Sequence, residues 1–254
     1  IMYFLAIHNL PEDRAAFAPA LASALGITSY EASVRLRVSG SGPLVIATFG
    51  ERPAADEASR KLEASGLSTV MISDEEVASS QKGFPVRTFR FNGHTLHAES
   101  RQKETLAVDY QKIFLIIRGM GMKQETSTET TKERKFDIGK AVLSGGLVIS
   151  KTVKTTEQKI TEEREGFLFV YAEGVLPLVF REGALDYSSL GPALQPSRTA
   201  NFTALLAELR SRSSQARFDD RLTTRAGQVQ LLGSSLDVQR YIGVAIELLV
   251  RVLR

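Results

Sequence analysis

The chain has 254 residues, of which 43% are hydrophobic and 24% are charged, a balance typical of a globular protein with one large or two ordinary domains. It contains no cysteine, which excludes disulfides, thiolate catalysis and cysteine-ligated metal centres and favours a cytoplasmic location. The net charge is +3, but residues 1–78 carry −4 and residues 79–254 carry +7, so we expect the second part to be the one that meets anions.

Residues 1–75 alternate between short apolar runs and capped helical patterns. The apolar run over residues 2–7 predicts a strand and not a signal peptide, because no basic leader accompanies it. The later elements are two helices beginning near Pro11 and Ser29, a strand over residues 44–49, a helix from Pro53 and a strand over residues 68–72. The predicted order is β-α-α-β-α-β.

The local sequence of this segment shares several pieces with a known family. These pieces are Gly26-Ile27, Glu31-Ala32 with Val34, Pro43, Asp56-Glu57-Ala58, and Lys61-Leu62-Glu63-Ala64-Ser65-Gly66 before the last strand. In these pieces and in element order, residues 1–75 resemble the C-terminal domain of the bacterial ribosomal stalk protein. The resemblance implies a small βααβαβ sandwich and a protein-docking module. In that family the first two helices present a basic surface to translation factors, but the first helix here is nearly uncharged, so factor binding is not expected.

A polar segment separates this module from the rest of the chain. We predict a linker at residues 76–84 and a second, β-rich domain at residues 85–254. Within that domain, Asn92-Gly93 predicts a hairpin between strands 86–91 and 94–98. Further strands are predicted at residues 105–108, 113–117, 147–153, 167–172 and 175–180, and a helix is predicted to begin at Ser197.

The order of about seven strands followed by a helix suggests a second resemblance. It is similar to the bacterial pleckstrin-homology-like domains, in which a bent antiparallel sheet is closed by a C-terminal helix. The expected fold class is therefore α+β, a small βααβαβ sandwich followed by an antiparallel β-rich domain with C-terminal helices.

The last segment of the chain, between Leu236 and Leu253, predicts a helix with a wide apolar face. It also contains Asp237, Arg240 and Glu247, so we do not expect it to span a membrane. Such a face has to be buried against its own domain, against a second copy of the chain in a homo-oligomer, or on a membrane surface.

Motifs that indicate catalysis or cofactor binding are incomplete throughout. His94, His97 and Glu99 suggest a metal site, but residues three apart on a strand point to opposite faces. Gly119-Met120-Gly121 lacks the third glycine and the following helix of a dinucleotide loop. Asp219 and Asp220 are expected to pair with nearby Arg217 and Arg225. We expect no catalytic residue, cofactor or metal, although an enzyme with a small-molecule site in the cleft between the two domains is the alternative.

Positive charge concentrates around an apolar, glycine-containing segment at residues 136–147. Only Glu133 and Asp137 oppose it between residues 132 and 154, which leaves a net charge of +4. The cations are Lys132, Arg134, Lys135, Lys140, Lys151 and Lys154. This arrangement predicts a contact surface for anionic headgroups or an acidic protein partner. A solvated loop with a packed apolar centre is the alternative structural interpretation.

Together these features predict a non-enzymatic binding or scaffold/adaptor protein of bacterial type that docks on a protein or an anionic surface. It is expected in the cytoplasm, with peripheral membrane attachment as an extension of that hypothesis. Nucleic-acid binding is a third hypothesis, for which the sequence offers neither a helix-turn-helix nor an aromatic-studded basic strand.

Overall fold

The computed structural model describes residues 1–37, 40, 42–80, 82–136, 150–233 and 235–254, and at 122–136 and 150–163 it describes the backbone alone. Helices and antiparallel strands are both abundant, which confirms the α+β class. The described chain separates into two compact units, one formed by residues 1–121 with 165–254 and the other by residues 122–164.

The described part of residues 1–73 forms three strands and three α-helices in the predicted order. They are β1 (Tyr3–His8), α1 (Ala18–Leu25), α2 (Ser29–Leu36), β2 (Leu44–Phe49), α3 (Arg52–Ala64) and β3 (Ser68–Ser73). The sheet has the order β2-β1-β3, with both pairs antiparallel. Helix α1 ends at Gly26, whose φ of 65° suits a residue without a Cβ, and Thr28 with Glu31 forms a capping box at the start of α2.

The segment predicted as a linker contains regular structure. Helix α4 (Asp74–Ser80) buries Val77, and β4 (Phe84–Pro85) pairs in parallel with a strand far along the chain. The polar composition that indicated a linker reflects the solvent-facing side of α4. The domain boundary at residues 76–84 stays a prediction.

The described residues of the second part form seven strands and three α-helices. They are β5 (Thr88–Asn92), β6 (Thr95–Glu99), β7 (Thr105–Asp109), β8 (Ile113–Phe136), β9 (Ser150–Ala172), β10 (Leu178–Arg181), α5 (Arg198–Arg212), β11 (Arg217–Leu222), α6 (Arg225–Leu232) and α7 (Val238–Leu253). Strands β5-β6-β7 form an antiparallel sheet, and a second sheet has the order β11-β8-β9-β10-β4.

The hairpin and the helix from Ser197 are confirmed with small differences. Asn92 pairs with Thr95, so the two turn residues are Gly93 and His94, one position beyond the predicted turn. The side chain of Ser197 accepts a hydrogen bond from the backbone N–H of Ala200 and caps α5. Strand β11 and helix α6 were not predicted from the sequence.

Strand β1 is apolar without alternation because both of its faces are buried. Leu5 and Ile7 pack in the core beneath α1 and α3, whereas Phe4 and Ala6 pack in a second core with α6 and α7. Strand β9 is likewise buried on both faces. Its Phe167 and Phe169 join that second core, and its Leu168 and Val170 join a third core with α5 and the β5-β6-β7 sheet. Helices α6 and α7 therefore share one core with a face of each of two sheets.

Helix α7 is buried within the chain, which is one of the three alternatives for its apolar face. Leu248 and Leu249 are 0% exposed, and even Glu247 is only 8% exposed. A homo-oligomer through residues 236–253 stays a prediction. No helix in the described part of the chain is long and apolar enough to cross a bilayer.

Candidate functional site

Five of the six predicted contact residues lie on two neighbouring strands. Strand β8 carries three of them in its last five residues, and β9 carries two in its first five. We name these five the basic strand end: Lys132, Arg134, Lys135, Lys151 and Lys154. Lys140 lies outside the described residues.

The two halves of the basic strand end lie at the same end of the strand pair. Gly119 of β8 lies against Phe167 of β9. Gly119 is as many residues before the end of β8 as Phe167 is after the start of β9. If the strands were parallel, these two ends would be about 110 Å apart at ~3.3 Å per residue. Residues 137–149 can span at most about 50 Å. The strands are therefore antiparallel, and the end of β8 meets the start of β9.

Charge is distributed unevenly along this strand pair. Residues 132–136 and 150–154 together carry +4, whereas residues 123–131 and 155–163 of the same strands together carry −3. The sequence from 123 to 135 contains no apolar residue, so this part of β8 has no apolar face to bury in a core. An extended polar strand pair thus concentrates its cations at one end.

The histidine cluster does not form a metal site. His97 is exposed on β6 between the buried Leu96 and Ala98, and its Nε2 lies 3.0 Å from Oγ1 of Thr95. Glu99, the carboxylate on the same face, accepts a hydrogen bond from Lys103 at 2.7 Å. Among the residues that the structure describes, no group of three or more His, Asp or Glu could hold a metal ion.

The acidic pair at the start of the C-terminal region has a structural role. Asp219 lies on β11 and accepts two hydrogen bonds from the guanidinium of Arg221, at 2.9 and 2.7 Å. Arg221 also donates to the carbonyl oxygen of Gly42 at 2.6 Å and so ties β11 to the loop before β2. Asp219 therefore pairs with Arg221, where the sequence suggested Arg217 and Arg225.

A polar pocket of about 470 Å³ opens at one end of the β5-β6-β7 sheet. The lining residues are Arg87, Thr88, Glu99, Ser100, Arg101, Lys103 and Asp186. All of them belong to the second predicted domain, so this pocket is not at the predicted cleft between domains. The sequence did not indicate it, because Asp186 joins the other residues only through the folded chain.

Comparisons with protein-family models, with curated proteins and with solved structures find no match for this chain.

Proposed function

We propose that the chain is a non-enzymatic binding protein of the scaffold or adaptor type, which docks on an anionic surface through the basic strand end. The observation that supports this proposal is the +4 charge of residues 132–136 and 150–154 at one end of an antiparallel strand pair, against the −3 charge of the adjoining residues 123–131 and 155–163. A strand pair that only faced solvent would not require its positive and negative charges to be separated along its length.

An anionic membrane fits the surrounding sequence best. The connection between the two strands is rich in Ile, Val, Leu and Gly and carries only Asp137 and Lys140 as charged residues within 137–149. Cations that flank an apolar segment favour binding at a membrane surface, where each contributes ~1 kcal/mol near anionic headgroups. An acidic protein would be attracted by the same cations and is the second class of partner. The experiment below distinguishes it from a membrane.

The test is co-sedimentation with vesicles of neutral lipid alone and of neutral lipid with anionic lipid. The variant carries Lys135→Ala, Lys151→Ala and Lys154→Ala. Its affinity for anionic vesicles should fall by about two orders of magnitude, because three contributions of ~1 kcal/mol are removed. The parent should bind neutral vesicles weakly.

A matched control removes three cations from the same strands away from the basic strand end, through Lys123→Ala, Lys159→Ala and Arg164→Ala. This control should lose much less affinity, because charge position and not net charge carries the interaction. Equal affinity of the parent and the first variant would contradict the proposal for membranes. If only the parent then retained acidic proteins from lysate, the partner would be a protein, and steeply salt-dependent binding of nucleic acid would support the third hypothesis.

A further inference from the structure

The pocket at the end of the β5-β6-β7 sheet is built on a fixed backbone. The N–H of Arg87 donates to the carbonyl of Glu99 at 2.7 Å, and the N–H of Asp186 donates to the carbonyl of Arg87 at 2.8 Å. Buried neighbours anchor two of the three chain segments, since Val86 is 3% and Leu185 is 7% exposed. The walls of the pocket are therefore in place before any ligand binds.

The third segment is the tight turn between β6 and β7. Ser100 is 1% exposed, and its Oγ accepts hydrogen bonds from the N–H groups of Gln102 and Glu104 at 3.2 and 3.3 Å. Lys103 has a φ of 67°, a conformation that a residue with a Cβ adopts only where its surroundings hold it. This turn fixes where Arg101 and Lys103 enter the pocket.

The two carboxylates of the pocket are already engaged. Glu99 accepts a hydrogen bond from Lys103, and Asp186 accepts one from the backbone N–H of Ser188 at 2.9 Å. The backbone and side-chain hydrogen bonds from Ser188, with a contribution from Arg87, hold the pKa of Asp186 below its ordinary value. Both carboxylates are thus occupied by their own partners.

The two arginine side chains, by contrast, form no ion pair within the described part of the chain. Arg101 makes no side-chain hydrogen bond there, and the guanidinium of Arg87, whose charge helps to lower the pKa of Asp186, donates only to the neutral carbonyl oxygen of Ala184. The hydroxyl of Thr88, beside Arg87, likewise has no hydrogen-bond partner among the described residues. With three cations and two carboxylates, the pocket carries a net charge of +1. Its unused groups are all donors that suit an oxyanion.

The geometry points to a binding site for a small phosphate-bearing molecule in this pocket, held by Arg87, Arg101 and Thr88. A phosphate group fits better than a carboxylate, because two guanidinium forks and a hydroxyl supply more N–H and O–H donors than two carboxylate oxygens can accept. The volume is within the ~300–1,000 Å³ range of small-molecule sites, and the charged side chains around the pocket suit a small charged ligand.

The test is an NMR titration of the full chain with inorganic phosphate at constant ionic strength. The amide signals of residues 100–104 and of Asp186 should shift and saturate. Arg101→Gln should weaken phosphate binding at least tenfold, since a hydrogen bond to a charged group is lost. Arg225→Gln is the matched control, because Arg225 is also exposed and unpaired among the described residues, and it should titrate like the parent.

A second variant and a second anion also test the site. Arg87→Lys retains the charge but loses the fork, and it should bind phosphate more weakly than the parent while the spectrum shows an intact fold. Acetate should bind more weakly than phosphate, and tighter acetate binding would overturn the assignment to phosphate. Equal titration of the parent and Arg101→Gln would overturn the site itself. Loss of phosphate binding in the Lys135, Lys151 and Lys154 triple variant would do so as well, because it would place the ion at the basic strand end.

Discussion

At the scale of single residues, Arg251 connects three elements of the first unit. Its guanidinium donates to Glu76 of α4 at 2.7 Å, to Glu247 of α7 at 3.0 Å and to the carbonyl oxygen of Met71 of β3 at 3.2 Å. Burial by itself raises the pKa of Glu76, but the ion pair with Arg251 and the hydrogen bonds from Ser73 outweigh burial, so its pKa lies below the ordinary 4.5. The ionised carboxylate of Glu76 therefore favours the folded state.

We expect Glu76→Gln to lower the free energy of unfolding by about 1 kcal/mol at pH 7. Because the pKa of Glu76 is lower in the folded than in the unfolded chain, its contribution is fully present above pH 4.5 and is lost as the pH falls through the folded-state value. Urea unfolding at pH 7 and at pH 3.5 measures both parts of this prediction. Glu12→Gln, at an exposed residue, is the control, and a difference that persisted unchanged at pH 3.5 would contradict the linkage.

At the scale of elements, the sequence predicted best where burial follows a simple pattern. The helices before Gly26 and Gly66 and the hairpin at Asn92 depend on local caps and turns, and the helix ends and the hairpin lie within two residues of the predicted positions. The first helix, however, begins at Ala18 and not near Pro11. Strand β11 and helix α6 were missed for a physical reason. Four of the six residues of β11 are charged, and it is held by parallel pairing with β8, about 100 residues earlier in the chain. The alternation of apolar and polar residues along the sequence does not indicate a pairing strand that lies so far away in the chain.

Helix α6 illustrates a contact that no sequence pattern shows. A Cβ added to Gly227 would lie 2.0 Å from the carbonyl oxygen of Arg221 on the preceding strand. Gly227→Ala should therefore lower the free energy of unfolding by about 1–3 kcal/mol, although alanine improves helix propensity by ~1 kcal/mol. Chemical denaturation measures the change. Gly50→Ala, where an added Cβ meets nothing within 4 Å, should be close to neutral, and equal effects at both sites would contradict this account.

The candidate sites were predictable to different extents. The basic strand end was visible in the sequence because its residues cluster on either side of one apolar segment. Its placement on two long strands was not, since residues 123–135 lack the alternation by which strands are predicted. The pocket was invisible, because Arg87, Arg101 and Asp186 meet only after the sheet and the loop beyond β10 have formed.

At the scale of the whole molecule, the first unit contains all three described apolar cores, and residues 122–164 form the other unit. Replacing residues 123–163 by an Asn-Gly turn should therefore leave the melting temperature within a few degrees of the parent value, because Met122 lies on β8 and Arg164 on the antiparallel β9, and such a turn can join the two strands. The shortened chain should lose binding to anionic vesicles. Thermal unfolding and co-sedimentation measure the two properties. An unfolded product would contradict the independent stability of the first unit, and undiminished vesicle binding would contradict the assignment of docking to the second unit.

The proposed docking through the basic strand end places the start of β9 at the anionic surface. Because the chain has no cysteine, Ser150→Cys introduces a single attachment site for an environment-sensitive fluorophore at the start of β9. Ser65→Cys, in the exposed turn after α3, is the matched control. With anionic vesicles the emission of the probe at position 150 should shift to shorter wavelength, while the probe at position 65 should not change, and neutral vesicles should affect neither. An unchanged probe at position 150 on vesicles that bind the protein would contradict the claim.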